Sequence, residues 1–142
     1  MKFARFNRIV VTAALLATFA AAAQTVDGAT GSGSGAGWQA GWLDLKAPQS
    51  FKKGDKLTIK VDGSAENVLV RLLPVSGDAS TSVGLEGKTR KVPGDRVLTV
   101  TLERDHPNVK QISVHGGASA WGTSLGANNG AVTIVSIERV TR

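Results

Sequence analysis

The chain has 142 residues, 42% of them hydrophobic and 20% charged, with 17 Lys/Arg against 11 Asp/Glu for a formal charge of +6. It contains no cysteine, which excludes a disulfide scaffold, a lipid-bearing cysteine and thiol-based zinc or nucleophile chemistry. A chain of this length supports one hydrophobic core rather than two.

Lys2, Arg5 and Arg8 precede an apolar run from Ile9 to Ala22, which ends in the small residues Ala21, Ala22 and Ala23. This layout predicts a secretory signal peptide over 1–23, because the apolar run is shorter than a spanning helix requires. The expected product is exported, periplasmic or extracellular, with no stable membrane insertion after cleavage. Loss of the three signal cations leaves 14 Lys/Arg against 11 Asp/Glu, a balance of +3. That weak excess argues against nucleic acid as a partner, although it favours encounter with anionic surfaces.

Residues 24–37 include GATGSGSGAG, which has no side chain large enough to build a core. They are expected to form a flexible leader, since glycine-rich backbone is costly to order. The folded domain is then expected over 38–142. Its first strand spans Trp38 to Leu45, and Pro48 to Lys56 reads as a turn-rich connection. Leu57, Ile59 and Val61 alternate with polar residues, while Val68, Val70 and Leu72 take one face against Leu69, Arg71 and Leu73 on the other, neither face being purely polar. Val83 to Val92 predicts a weaker strand or hairpin. Leu98, Val100 and Leu102 then alternate with Thr99, Thr101 and Glu103, and Asp105 to Asn108 reads as a turn holding a solvated His106. The segments Val109–His115 and Ala131–Val140 complete the set, separated by a Gly/Ser/Asn-rich loop that carries Trp121. Short strands divided by Gly, Pro, Asn and Asp, with no helical apolar period, predict an all-β antiparallel sandwich.

The segments GWLDL, FKKGDKLTIKV, VKQISVHGG and GAVTIVSIERV occur in an order that resembles the galactose-binding-like jelly rolls, the superfamily of discoidin-like domains and many carbohydrate-binding modules. The resemblance covers most of 38–142 and implies a two-sheet jelly roll whose last strand runs beside the first. It also implies a noncatalytic sugar-binding role, in which aromatic rings stack on sugar faces and polar side chains bond hydroxyls. The chain departs from that pattern in having no tyrosine.

If the alternating aliphatics form the core, Arg71, Thr99, Thr101, Gln111, Ser113 and His115 must point to the opposite face, where they would form one hydrogen-bonding surface. Trp121 has only small neighbours and is equally suited to ligand contact or to anchoring its loop. Trp38 and Trp42, four residues apart on an expected strand, share a face and read as packing residues. No Ser/His/Asp or Cys/His arrangement is evident, the carboxylates are scattered, and two isolated histidines make no recognisable metal site. No catalytic residue, metal or cofactor is therefore assigned. The expected function is binding of a glycan through Trp121, Gln111, Ser113, His115, Arg71, Thr99 and Thr101. A structural or protein-interaction domain of the cell envelope is the alternative, and a hydrolase the remote one.

Overall fold

The computed structural model describes residues 22–35, 38–76, 85–116, 119–120, 123–124 and 130–141. Its strands in chain order are β1 (Gln24–Thr25), β2 (Gly28–Gly35), β3 (Trp38–Phe51), β4 (Lys56–Gly63), β5 (Asn67–Pro74), β6 (Leu85–Lys91), β7 (Val97–Thr101), β8 (His106–His115), β9 (Ser119–Ala120), β10 (Thr123–Ser124) and β11 (Val132–Val140). A four-stranded sheet in the order β1-β11-β4-β7 packs on a five-stranded sheet in the order β2-β3-β8-β5-β6, and β9 pairs with β10. Every pairing is antiparallel. This is the all-β, two-sheet sandwich that the alternation predicts. Among the described residues no helix is long and apolar enough to cross a membrane. The expected signal segment falls, through residue 21, outside them.

Period-two alternation builds the core. Leu57, Ile59 and Val61 of β4 with Leu98 and Val100 of β7 face Val68, Val70 and Leu72 of β5 with Ile112 and Val114 of β8, all in one buried cluster. Each such side chain removed from water contributes roughly 1.5–3 kcal/mol before the entropy of ordering it. On β11, the inward residues are Val132, Ile134 and then Ile137. A register shift between Ile134 and Ser136 makes that change of phase possible. The extra residue of this bulge, Val135, is turned out to 51% exposure.

Most of the Gly/Ser segment expected to be a flexible leader, Gly28–Gly35, is strand. β2 pairs with β3 residue for residue from Gly28↔Leu45 to Gly35↔Trp38. Just before it, β1 pairs with β11 and Val26 enters the core at 4% exposure. The ordering cost of glycine, about 0.5–1 kcal/mol per residue, is offset by a ladder of backbone bonds and by close approach. A Cβ at Gly28 would lie 2.1 Å from the Asp44 carbonyl oxygen. The folded unit thus begins upstream of Trp38.

Two connections also differ from expectation. β3 continues through Pro48 to Phe51 with register irregularities. Of the turn expected over Asp105–Asn108, the residues from His106 onward are instead the start of β8, and His106 is only 5% exposed. Its Nε2 lies 2.5 Å from Oε2 of Glu86. The fully buried Glu86 carboxylate also accepts the Glu103 backbone N–H. Glu86 comes from β6, twenty residues earlier, so local turn chemistry around His106 held no sign of it.

The sheets approach closely at Gly41, where a Cβ would stand 2.7 Å from Thr133 Cα and 2.8 Å from the Val132 carbonyl oxygen. Backbone atoms cannot yield as a side chain does. Gly41→Ala is expected to destabilise the fold by about 1–3 kcal/mol, seen as a lower urea midpoint at unchanged slope.

Candidate functional site

The outward face of the five-stranded sheet carries polar side chains that the core cannot use. Residues paired across strands project to the same side. One row therefore runs Gly31, Trp42, Ser113, Arg71 across β2, β3, β8 and β5. The row on one side of it runs Ala29, Asp44, Gln111, Leu73, and on the other Gly33, Ala40, His115, Leu69. Four of the expected site residues, Arg71, Gln111, Ser113 and His115, are thus brought together.

Their hydrogen bonds form one chain. The Arg71 Nε–H donates to Ser113 Oγ at 3.3 Å, and Arg71 Nη2 donates to Gln111 Oε1 at 3.1 Å. Gln111 Nε2 in turn donates to Asp44 Oδ1 at 2.8 Å, which fixes the orientation of the amide. Ser113 Oγ lies 3.1 Å from His115 Nε2. Because Ser113 Oγ already accepts from Arg71, its own hydrogen is suited to donate to an unprotonated Nε2.

Burial sorts these residues into accessible groups and supports. Arg71 and Ser113 are 3% and 2% exposed, as are their neighbours Leu73 and Leu69 at 4% and 2%. Asp44 is exposed, and Trp42, Gln111 and His115 are half-buried. Burial lowers the Arg71 pKa below the usual arginine range. Burial, with the Arg71 charge second, pushes His115 down to about 3. His115 is consequently neutral at ordinary pH and a poor base for Ser113, so the pair does not constitute an activated nucleophile.

Thr99 and Thr101 lie elsewhere. They are exposed residues of β7 in the four-stranded sheet, paired with Thr58 and Lys56 of β4. The single hydrogen-bonding surface of six residues expected from alternation is therefore divided between two sheets. Alternation assigns a residue to a face but does not assign the strand to a sheet. Trp121, and the side chain of Trp38, fall outside the described residues.

Two accessible groups of this face, Trp42 and Asp44, were not among the expected ligand contacts. The indole lies across β2, with Nε1 where it would stand 2.4 Å from a Cβ at Gly31. Alanine or glycine at 29, 31 and 33 leaves a shelf beside the ring. The spacing of glycines in GATGSGSG was the available signal, but only the β2–β3 register gives it this meaning. Among the described residues no group of three or more His, Cys, Asp or Glu is placed to hold a metal.

No protein-family model and no curated protein matches the chain. Among solved structures, it is similar to chitosan-binding module 1 of a chitosanase/glucanase from Paenibacillus sp., at 15% identity over 85% of this chain and 95% of that one, with a TM-score of 0.46. A low-affinity xylan-binding module from Roseburia intestinalis is 13% identical over 87% and 93%, with a TM-score of 0.47. An F5/8 type C domain from Bacteroides fragilis is 14% identical over 84% and 76%, with a TM-score of 0.45.

The buried His115 makes a signed pH prediction. Its folded pKa of about 3 lies below the ordinary 6.5, so the unfolded chain binds the proton first. Its contribution is complete above pH 6.5 and is lost as the pH falls toward 3. Within that window the slope reaches up to about 1.4 kcal/mol per pH unit. Urea unfolding between about pH 7 and about pH 4 should show a shallower acid loss for His115→Asn than for the wild type.

Proposed function

We propose that the outward face of the five-stranded sheet binds carbohydrate without catalysing a reaction on it. The observation that carries this reading is the Trp42 indole laid on a shelf of small residues beside a pre-bonded Asp44–Gln111–Arg71 chain. A flat apolar ring suits the C–H face of a pyranose, while the carboxylate and amide are suited to its hydroxyls. In this reading Trp42, Asp44, Gln111 and His115 meet the ligand. Arg71 and Ser113 act behind them, as buried groups that hold Gln111 and His115. Thr99 and Thr101 take no part, and Trp121 is a second candidate platform on the loop after β8.

The chemistry of the face supports binding over turnover. A binding site gains from groups that are fixed before the ligand arrives, because less freedom is lost on association. Hydrolysis of a glycoside needs two carboxyl groups flanking the bond. Asp44 is the carboxylate in the three described rows of this face. The tripartite pattern of residues 1–23 supports an exported protein that meets its glycan in the periplasm or outside the cell.

Affinity electrophoresis and isothermal titration against a panel of neutral and charged polysaccharides test the proposal. Trp42→Ala should weaken binding by about 2 kcal/mol, roughly thirtyfold, as for a central aromatic contact. Gly31→Ala should also weaken it, since the added methyl displaces the ring, whereas Thr99→Ala should leave it unchanged. Trp121→Ala measured beside these separates the two tryptophans. Retention by no glycan, with Trp42→Ala abolishing capture of a protein from an envelope extract, would replace this reading by the envelope-interaction one.

A further inference from the structure

Among the described residues, the two large sheets end in four edge strands, β1 and β7 in one and β2 and β6 in the other. An edge strand turns half of its backbone N–H and carbonyl groups away from its sheet, and proteins blunt such edges with short strands, charged side chains, prolines or bulges. β1 has two residues and β7 has five, while β6, LEGKTRK, carries Lys88, Arg90 and Lys91. β2 has none of these devices. It runs for eight residues, GATGSGSG, with no charge and no proline, and its register with β3 is unbroken.

Two hydrogen bonds fix which of its backbone groups face outward. The Lys46 N–H donates to the Asp27 carbonyl at 3.0 Å, one step beyond the Gly28↔Leu45 pair. Bonded and non-bonded pairs alternate along an antiparallel ladder, so Ala29, Gly31 and Gly33 are the β2 residues bonded to β3. The Gly116 N–H donates to the Gln39 carbonyl at 2.8 Å, which turns Gln39 toward β8 and Ala40, the partner of Gly33, toward β2. Both bonds give the same phase. The N–H and carbonyl groups of Gly28, Thr30, Ser32 and Ser34 therefore point away from β3, and all four residues are exposed.

We infer that β2 is the contact of a symmetric homodimer, in which it pairs antiparallel with β2 of a second copy of this chain. With the two-fold axis at Gly31, Gly28 meets the partner's Ser34 and Thr30 meets the partner's Ser32, so every outward N–H and carbonyl is matched. An axis at Ser32 leaves Gly28 unmatched. The occupant is a second copy because one edge supplies both halves of a self-complementary contact, which closes as a dimer. Charge points the same way: a chain with 17 Lys/Arg against 11 Asp/Glu repels its own copies, and a charge-free strand is where two of them meet at least cost. A foreign peptide would find little but backbone to recognise along these small side chains. The pairing joins two five-stranded sheets into one and puts both Trp42 faces on the same side, with β3 and its copy about 14 Å apart, three strand spacings. That one polysaccharide spans both faces rests on the glycan reading; the pairing itself does not.

Sedimentation velocity over a concentration series tests the dimer, and cysteine crosslinking tests its register. A single strand pair is a small interface, so the dimer fraction should rise with concentration rather than be complete throughout. Ser32→Pro removes an outward N–H without touching the bonds to β3, and should weaken association by more than about tenfold with the far-ultraviolet spectrum unchanged. Thr30→Lys should weaken it as well, by placing like charges across the new ladder. The chain has no cysteine of its own. Under oxidation a mixture of Thr30→Cys and Ser32→Cys chains should crosslink, since a bonded pair has its Cα atoms about 5.5 Å apart, within disulfide reach. Either variant alone should crosslink far more slowly. A monomer over the whole soluble range, a dimer indifferent to both Ser32→Pro and Thr30→Lys, or a mixture that crosslinks no faster than its components would overturn the inference. None of these measurements involves a sugar, so the dimer and the glycan reading stand or fall separately.

Discussion

A cation on the outward face of a sheet, yet only 3% exposed, organises the candidate site. Arg71 loses most of its hydration, and burying a charge without hydrogen bonds is expensive. The neighbouring strand supplies neutral acceptors, Ser113 Oγ and Gln111 Oε1. Those bonds determine more than the state of Arg71. They set which end of the Gln111 amide faces Asp44, and they turn the Ser113 hydroxyl toward His115. The accessible groups are therefore arranged from beneath by residues that a ligand does not reach. The same guanidinium adds to the burial that keeps the imidazole neutral.

Two polar pairs at the same end of the sandwich, where Phe51 of β3 pairs with His106 of β8, work differently. In one, the Arg139 guanidinium lies 4.4 Å from the centre of the Phe51 ring and donates to Asp55 Oδ2 at 3.0 Å. Asp55 also accepts the Lys52 N–H, which closes the turn into β4. Removing one member of such a buried pair leaves the other uncompensated, which is costlier than the pair is favourable. In the other, Glu86 fixes both His106 and the backbone of Glu103, tying the edge strand β6 to the segment that enters β8. Among the described residues, these pairs supplement aliphatic packing where the strands run out.

Backbone approach is the other constraint, and glycine carries it. Gly41 lets β3 lie against β11, and Gly31 lets the Trp42 indole lie against β2. Both are read in isolation as weak strand residues, since glycine packs no side chain. In the sandwich the missing side chain is what matters. One glycine joins the two sheets, and the other gives the aromatic group of the candidate site its resting place.

The sequence by itself determined the all-β class, the position of most long strands and the identity of the core, because period-two alternation is local and the core accepts nearly any close-packed aliphatic set. Leu57, Ile59, Val68, Val70, Leu72, Leu98, Val100, Ile112 and Val114 were all legible in this way and all are buried. It also placed Arg71, Gln111, Ser113 and His115 on a noncore face. Only the tertiary structure decided which strands share a sheet, and this separated Thr99 and Thr101 from those four while bringing Trp42 and Asp44 to them. It alone turned the Gly/Ser leader into β2 and made His106 a buried partner of Glu86. The reason is common to these cases: strand pairing and buried side-chain contacts join residues far apart in the chain, whereas propensity and alternation report only on near neighbours.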